Sequence, residues 1–357
     1  MKKFIIRSKK SIQLVPRSAH WVKNREGYVT MERNERVDDF KSSTMNILKN
    51  ISSFDFRTYP DTNLVYKNLS KWLSMKEENL ILTEGADGGL LRIFNVFVDH
   101  GDKVLTLEPG YAMYPVYCQM FKANYIPLKL SSTKIDNYFS ILKEMILKNK
   151  PKIVAIANPN QPIEVMLSYS QLEQICKITK KTNSIFVVDE AYYHFNNVTA
   201  KNLIKKYNNL IVVRTFSKAF GLAGLRVGYS ISNKKNIDFM KSIKPIYEIN
   251  SINIKIILFF IKNLKIMKNY VIEVNRSRKI LMKFFKKFNI NVFGKYSNTV
   301  LIEFPNEHLA QKIVKKLYTK KYIVRFMKFN NNFYIRLTLS GQKIIKNCLK
   351  EISNILK

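Results

Sequence analysis

A chain of 357 residues, 46% hydrophobic with only 11 Gly and 10 Pro, is long enough for one large domain plus a smaller one and is not a disordered or fibrous composition. The net charge is +35, but the lysines are scattered among Asn and Ile instead of blocked, so it reads as compositional rather than as a nucleic-acid or membrane footprint, and it leaves a field that attracts small anions. Three distant cysteines (Cys118, Cys176, Cys348) make no disulfide framework and fit a reducing cytoplasm, while His20, His100, His194 and His308 lack metal-ligand spacing and read as structural.

The opening MKKFIIRSKKSIQLV has basic residues but only three consecutive apolar ones, too few for a secretory signal. Residues 1–40 read as an irregular arm. From about residue 79, β-branched runs alternate with amphipathic helical stretches: NLILT (79–83), KVLTL (103–107), KIVAIAN (152–158), SIFVVD (184–189), NLIVV (209–213) and VGYSI (227–231). Helical patterns such as Leu90 to His100 and Tyr169 to Lys181 lie between them. Apolar runs separated by helices predict βαβ units and a mainly parallel, buried sheet over 41–250. Beyond residue 250 a helical stretch runs from about Asn253 to Lys287. Its most apolar part, Ile256 to Ile261 between Lys255 and Lys262, is far below membrane-spanning length. Strands near TVLIEF (299–304) and FYIRLTL (333–339), with helices at about 307–320 and 341–355, predict a small α+β domain in 251–357.

Ligands of open α/β sheets bind at the carboxyl ends of the strands. After NLIVV comes RTFSKAFGLAGLRVGY (214–229). A Ser-Lys pair at a strand exit, then a glycine-containing loop, Arg and another strand, is suited to a carbonyl cofactor that carries a phosphate. Lys218 can form an imine with an aldehyde, and Ser217 and Arg226 can hold a phosphate through charge-assisted hydrogen bonds. A solvated surface lysine would be the reading of a lone Ser-Lys, but not of the whole string. After NLILT, the glycines of EGADGGL (84–90) lead into a helix N-terminus, another natural phosphate site.

SKAFGLAGLRVGY closely resembles the lysine segment of the fold-type I pyridoxal 5′-phosphate (PLP) aminotransferases, in particular the histidinol-phosphate aminotransferase-like subfamily. The resemblance extends in order from Asn34 to Arg336. It implies an α/β fold with a large domain around a mainly parallel seven-stranded sheet, of which the pattern shows six strands, and a small C-terminal α+β domain. It implies PLP as cofactor, bound covalently to Lys218. Asp189 of VVDEAY would keep the pyridine nitrogen protonated, and Tyr192 would bond the phenolic oxygen. Gly85, Ala86 and Asp87 would cradle the phosphate. Tyr111 of EPGYAMY would lie against the pyridine face, with Tyr114 and Tyr117 left to core packing. Tyr59 of FRTYPD would reach across a homodimer interface to the partner's cofactor.

For the substrate, the resemblance implies that Arg336 of FYIRLTLS anchors an anionic group, with Arg325 of YIVRF as a second anion site or an ordinary strand-end charge. Asn34 would help shape the side-chain pocket, although the Pro and Gly that usually follow the Asn-Glu pair are absent. Asn250 carries no assigned role. NPNQPIE (158–164) departs from the family pattern. Gln161 occupies the slot of an Asn, and Ile163-Glu164 replaces Thr-Gly. Gln161 keeps an amide and is expected to donate to the phenolic oxygen. By resemblance the expected activity is transamination between an amino acid donor and an oxo substrate, with histidinol phosphate and imidazole acetol phosphate or another phosphate- or phosphonate-bearing amine as the expected small anionic substrates, and with no nucleic-acid or membrane partner. Decarboxylation of a phospho-amino acid, as in the similar threonine-phosphate decarboxylases, stays open.

Overall fold

The computed structural model describes residues 24–130, 137–329 and 331–356. The signal-peptide question at the N-terminus and the reading of His20 lie outside them. The core is a seven-stranded sheet. Its strands are β1 (Leu80–Thr83), β2 (Lys103–Glu108), β3 (Asn124–Lys129), β4 (Ile153–Ala157), β5 (Ile185–Asp189), β6 (Leu210–Thr215) and β7 (Gly228–Ser232). They lie in the order β1-β7-β6-β5-β4-β2-β3. β7 runs antiparallel to both its neighbours, and every other pairing is parallel. β1, β4, β6 and β7 are buried at every position. Helices on both faces therefore cover them, as a parallel sheet requires. The expected runs all appear, and the seventh strand is NYIPLK at the edge, where Pro127 is tolerated.

The flanking helices are α1 (Asn63–Leu73), α2 (Gly85–Phe97), α3 (Met113–Met120), α4 (Tyr138–Asn149), α5 (Tyr169–Lys181) and α6 (Lys234–Lys241). Each begins for a local reason where its cap is polar. Ser168 and Gln171 form a capping box on α5, and Asn233 accepts the N–H of Asn236 on α6.

The long helical stretch is two helices, α7 (Ser251–Lys262) and α8 (Lys265–Lys286). Asn263 breaks it in a non-helical conformation, and Asn250, left without a role above, caps α7 by accepting the N–H of Asn253 at 2.8 Å. The second sheet is antiparallel throughout, with β8 (Val292–Phe293), β9 (Thr299–Phe304), β10 (Arg325–Phe329) and β11 (Asn332–Thr338) in the order β10-β11-β9-β8. Helices α9 (Glu307–Thr319) and α10 (Gln342–Leu356) complete this unit. The arm joins it as well. Val29–Thr30 pairs in parallel with Tyr322–Ile323, and the N–H of Thr338 donates to the carbonyl of Met31 at 2.8 Å.

Candidate active site

The carboxyl ends of β1, β5 and β6 converge with the arm and with β11. Asp189 is the last residue of β5, and β6 runs directly into Ser217-Lys218. Lys218 is half-buried, and its ammonium donates to the carbonyl of Arg33 at 3.4 Å. Burial in a site that also holds Arg336 and Arg226 pushes its pKa down to about 8, against the pull of Glu35 and Asp189. Asp189 is 7% exposed and accepts the N–H of Ala191 at 3.0 Å. Burial, with Glu190 and Asp87 nearby, pushes its carboxyl up to about 6, despite that hydrogen bond and the Lys218 charge. An amine whose pKa burial lowers and a carboxyl whose pKa burial raises, each feeling the other's charge, are what groups set aside for chemistry show.

The phosphate end is built from glycine and arginine. Gly85 opens α2 at φ +73°, in the left-handed region, and a Cβ there would stand 2.9 Å from the Arg226 guanidinium. Arg226 is itself left-handed at φ +53°. The first amides of α2, at Gly85, Ala86 and Asp87, are unsatisfied by the helix and carry its positive dipole end. Thr215 donates its hydroxyl proton to Ser217 Oγ at 2.9 Å, which leaves the Ser217 proton for an outside acceptor. Behind this wall Arg214 and Glu190 form a buried ion pair at 2.9 Å, with no motif in the chain to mark it beforehand.

Tyr111 donates to Asp87 at 2.9 Å and meets Tyr114 edge-on with ring centroids 5.7 Å apart. Tyr114 and Tyr117 are buried, as expected of packing residues, and Tyr117 also donates to Asp87. Tyr59 is 80% exposed and stacks on Tyr247 at 4.3 Å. It lines a cavity of about 570 Å³ together with Glu84, Arg226, Tyr247 and Asn250.

At the substrate end Arg336 and Arg325 are direct cross-strand partners on β11 and β10. Arg336 donates to the carbonyl of Glu32 at 2.6 Å, and its buried Nε has no partner among the described residues. Burial next to Arg325 lowers its pKa to about 10. The side-chain amide of Asn34 donates to the Tyr192 hydroxyl at 2.7 Å, so Asn34 meets a cofactor-side residue rather than only a substrate pocket.

The Gln161 side chain is engaged at both ends of its amide. Its amide donates both protons, to Glu164 at 3.1 Å and to Ser297 at 3.0 Å, and its oxygen accepts from Thr299 at 3.1 Å. The amide thus bridges Glu164 of its own loop and Ser297 and Thr299 of the small domain. The Asn160 amide donates to the carbonyls of Pro109 and Ile163, each at 2.9 Å. His194 is packed between Trp72 and Phe220, and burial pushes its pKa down to about 3, as a structural histidine requires. Among the described residues no cluster of His, Cys, Asp and Glu suits a metal.

The family model described as aminotransferase class I and II matches residues 30–344. The chain belongs to the class I and II aminotransferases. It is similar to a histidinol-phosphate aminotransferase of Caldanaerobacter subterraneus, 34% identical over 335 residues that cover 90% of this chain and 92% of the relative. Among solved structures it superimposes on histidinol-phosphate aminotransferase from Sinorhizobium meliloti in complex with pyridoxal-5′-phosphate, with a TM-score of 0.82, 19% identity and coverage of 92% and 90%. L-threonine-O-3-phosphate decarboxylase from Porphyromonas gingivalis shares the fold at a TM-score of 0.75, with 20% identity and coverage of 92% and 99%.

This aminotransferase is therefore a PLP-dependent enzyme of fold-type I. Its residues fit that cofactor on their own evidence. The Gly85–Arg226 cradle and the free Ser217 proton suit a phosphate, Asp189 suits a pyridine nitrogen, and the depressed Lys218 amine suits an aldehyde.

Proposed function

We propose that this aminotransferase exchanges an amino group between glutamate and a phosphate-bearing partner of the histidinol phosphate type. The observation that carries the reading is the pair of arginines, Arg325 and Arg336, in register on adjacent strands at the substrate end of the site. The Arg325 charge lies close enough to lower the Arg336 pKa. A dianionic phosphate suits two neighbouring arginines better than a single carboxylate does. The names of the curated relatives support the same substrate.

Pyridoxal phosphate, when bound, supplies an aldehyde that takes up the amino group and a ring that stores the electrons left at Cα. The protein's residues do the rest. Gly85, Ala86, Asp87, Ser217 and Arg226 hold the phosphate, and Asp189 holds a proton on the pyridine nitrogen. Tyr192 donates to the phenolic oxygen, and Tyr111 packs on the ring. Lys218 would hold the cofactor through its aldehyde, and its amine, placed at the end of the phosphate-binding segment, would serve as the general base for the Cα proton. Its low pKa keeps a useful fraction neutral near pH 7 to 8. Arg336, with Arg325, fixes the substrate so that the Cα–H bond faces Lys218.

The reading also takes the chain as an arm to residue 40, a large domain over 41–250 and a small domain over 251–357. It takes the enzyme as a homodimer in the cytoplasm, with Tyr59 completing the neighbouring subunit's phosphate site. No helix among the described residues is long and apolar enough to cross a membrane.

The test is a half-reaction screen. The PLP form is mixed with histidinol phosphate, histidinol, glutamate and threonine phosphate, and the bound cofactor's absorbance is followed. Histidinol phosphate and glutamate should convert it, and histidinol should not. Equal reaction with histidinol would remove the phosphate-recognition role of the arginines. Carbon dioxide released from threonine phosphate would replace transamination by decarboxylation.

A further inference from the structure

The Gln161 amide is engaged by Glu164, Ser297 and Thr299, and the polar side chain that meets Tyr192 comes from the arm. Tyr192 is 9% exposed, and its hydroxyl has one proton to give and lone pairs to receive. Asn34 donates into that oxygen at 2.7 Å. With the lone pair so engaged, the Tyr192 proton points away from Asn34, and among the described residues no protein acceptor receives it. A hydroxyl that accepts a hydrogen bond is polarised into a better donor.

Asn34 is held for this task by the small domain. Its N–H donates to Thr338 Oγ1 at 3.1 Å, and its carbonyl accepts from the Asn298 amide at 3.2 Å. Its backbone sits at φ +59°, a left-handed conformation that asparagine tolerates better than most side chains. Gln161 makes the complementary link, through Ser297 and Thr299 of the same domain, and Glu164 accepts the N–H of Tyr296 at 3.0 Å.

We propose that Asn34 is the positioning residue that orients the Tyr192 proton toward the cofactor's phenolic oxygen, while Gln161 has become an interdomain tie with no part in that hydrogen bond. The small domain then controls the cofactor's electronics, because Thr338 and Asn298 set where Asn34 stands. This rests on the reading above that Tyr192 faces the phenolic oxygen.

The experiment is a pH titration of the bound cofactor's absorbance in the holoenzyme, for the parent and for Tyr192→Phe, Asn34→Asp, Asn34→Gly and Gln161→Ala. Tyr192→Phe sets the direction of the shift. Asn34→Asp offers only acceptor oxygens at neutral pH and draws the Tyr192 proton to itself, so its apparent pKa should move the same way, by roughly 1 unit. Asn34→Gly keeps the left-handed backbone and serves if the Asp variant does not fold. It should move the same way by a smaller amount. Gln161→Ala should superimpose on the parent. An Asn34→Asp curve on top of the parent, or a Gln161→Ala shift as large as that of Asn34→Asp, overturns the proposal. A Tyr192→Phe curve on top of the parent overturns the underlying reading, and the proposal with it.

Discussion

Lys218 and Asp189 are both held in protonation states that cost the empty protein stability, and the two costs have different pH windows. For Lys218 the folded pKa of about 8 lies below the ordinary 10.5. Above pH 10.5 the amine is neutral in both states and the cost is absent. It grows as pH falls through that interval and is complete below about pH 8. Lys218→Met should therefore stabilise the cofactor-free protein at pH 7, by at most about 3 kcal/mol at 1.36 kcal/mol per unit. The gain should vanish by about pH 10.5 in urea melts. The same variant should lose turnover, and borohydride reduction should no longer fix the cofactor to the chain. A label that persists on another lysine would end the assignment. Asp189 has a folded pKa of about 6 against 3.8, so its cost is absent below pH 3.8 and complete above pH 6. Asp189→Asn should stabilise the cofactor-free protein at pH 7 and yet lower kcat/KM on the order of a thousandfold, the scale of lost electrostatic stabilisation. Activity within tenfold of the parent would show that another group protonates the ring. The places of these two residues were legible in the sequence because Asp189 ends one strand and Lys218 follows another, each within a distinctive string. The partners of Gln161 were not legible in the sequence for a physical reason. A slot in a motif fixes where the backbone goes, but the partners that capture this side chain, Ser297 and Thr299, lie 136 and 138 residues away.

The parallel strands announced themselves because a strand buried on both faces must be a nearly unbroken apolar run, and β4 and β6 are such runs. β3 escaped notice because it is an edge strand with one neighbour and a proline, so its pattern is diluted. The two-residue β8 is too short for any periodicity, and β10 mixes lysine and arginine into an exposed edge. The split between α7 and α8 was hidden because Asn263 interrupts the helix without a Gly or Pro. The junction of β7 with α2 gives a sharper test of how elements build the phosphate site. A Cβ on Gly228 would meet the Gly85 carbonyl carbon at 2.5 Å, the Arg214 oxygen at 2.6 Å and the Ala86 nitrogen at 2.8 Å. All three are backbone atoms in buried elements and cannot swing aside. Gly228→Ala should cost on the order of 3 kcal/mol in urea denaturation and weaken cofactor binding, since it pushes the first amides of α2 out of place. Gly224→Ala, where nothing lies within 4 Å of the new methyl, is the control and should be within about 0.5 kcal/mol of the parent in the same melts. A Gly228→Ala protein as stable as that control would show that the β7–α2 contact is looser than these distances require.

A strongly positive chain carries an exposed apolar surface beside the cavity that Arg226 lines. Phe54, Phe56, Tyr59, Ile246 and Tyr247 are all exposed, with Phe56 at 73% and Ile246 at 80%. Single exposed apolar residues are ordinary, but Phe56, Tyr59 and Tyr247 line one cavity together with Arg226. A second copy of the chain, related by a two-fold axis, would cover that surface and bring Tyr59 of each subunit to the other's Arg226. The net charge of +35 opposes such an association at low salt, so the dimer should tighten as salt screens the repulsion, the opposite of a complex held by ion pairs. Shared sites give a decisive measurement. A Lys218→Ala chain lacks the amine in its own site but still lends a sound Tyr59 to its partner. A Tyr59→Ala chain lends nothing but keeps its own Lys218. In a hybrid dimer, one of the two sites holds Lys218 from the second chain and Tyr59 from the first. Mixing the two weakly active or inactive proteins, after brief dissociation in dilute urea, should therefore restore at most a quarter of the parental activity, because about half of the dimers are hybrids and each has one whole site. If the mixture regains nothing while light scattering shows that subunits have exchanged, Tyr59 serves its own chain. If the parent is a fully active monomer by light scattering, the apolar surface belongs to some other partner and the shared site is ruled out.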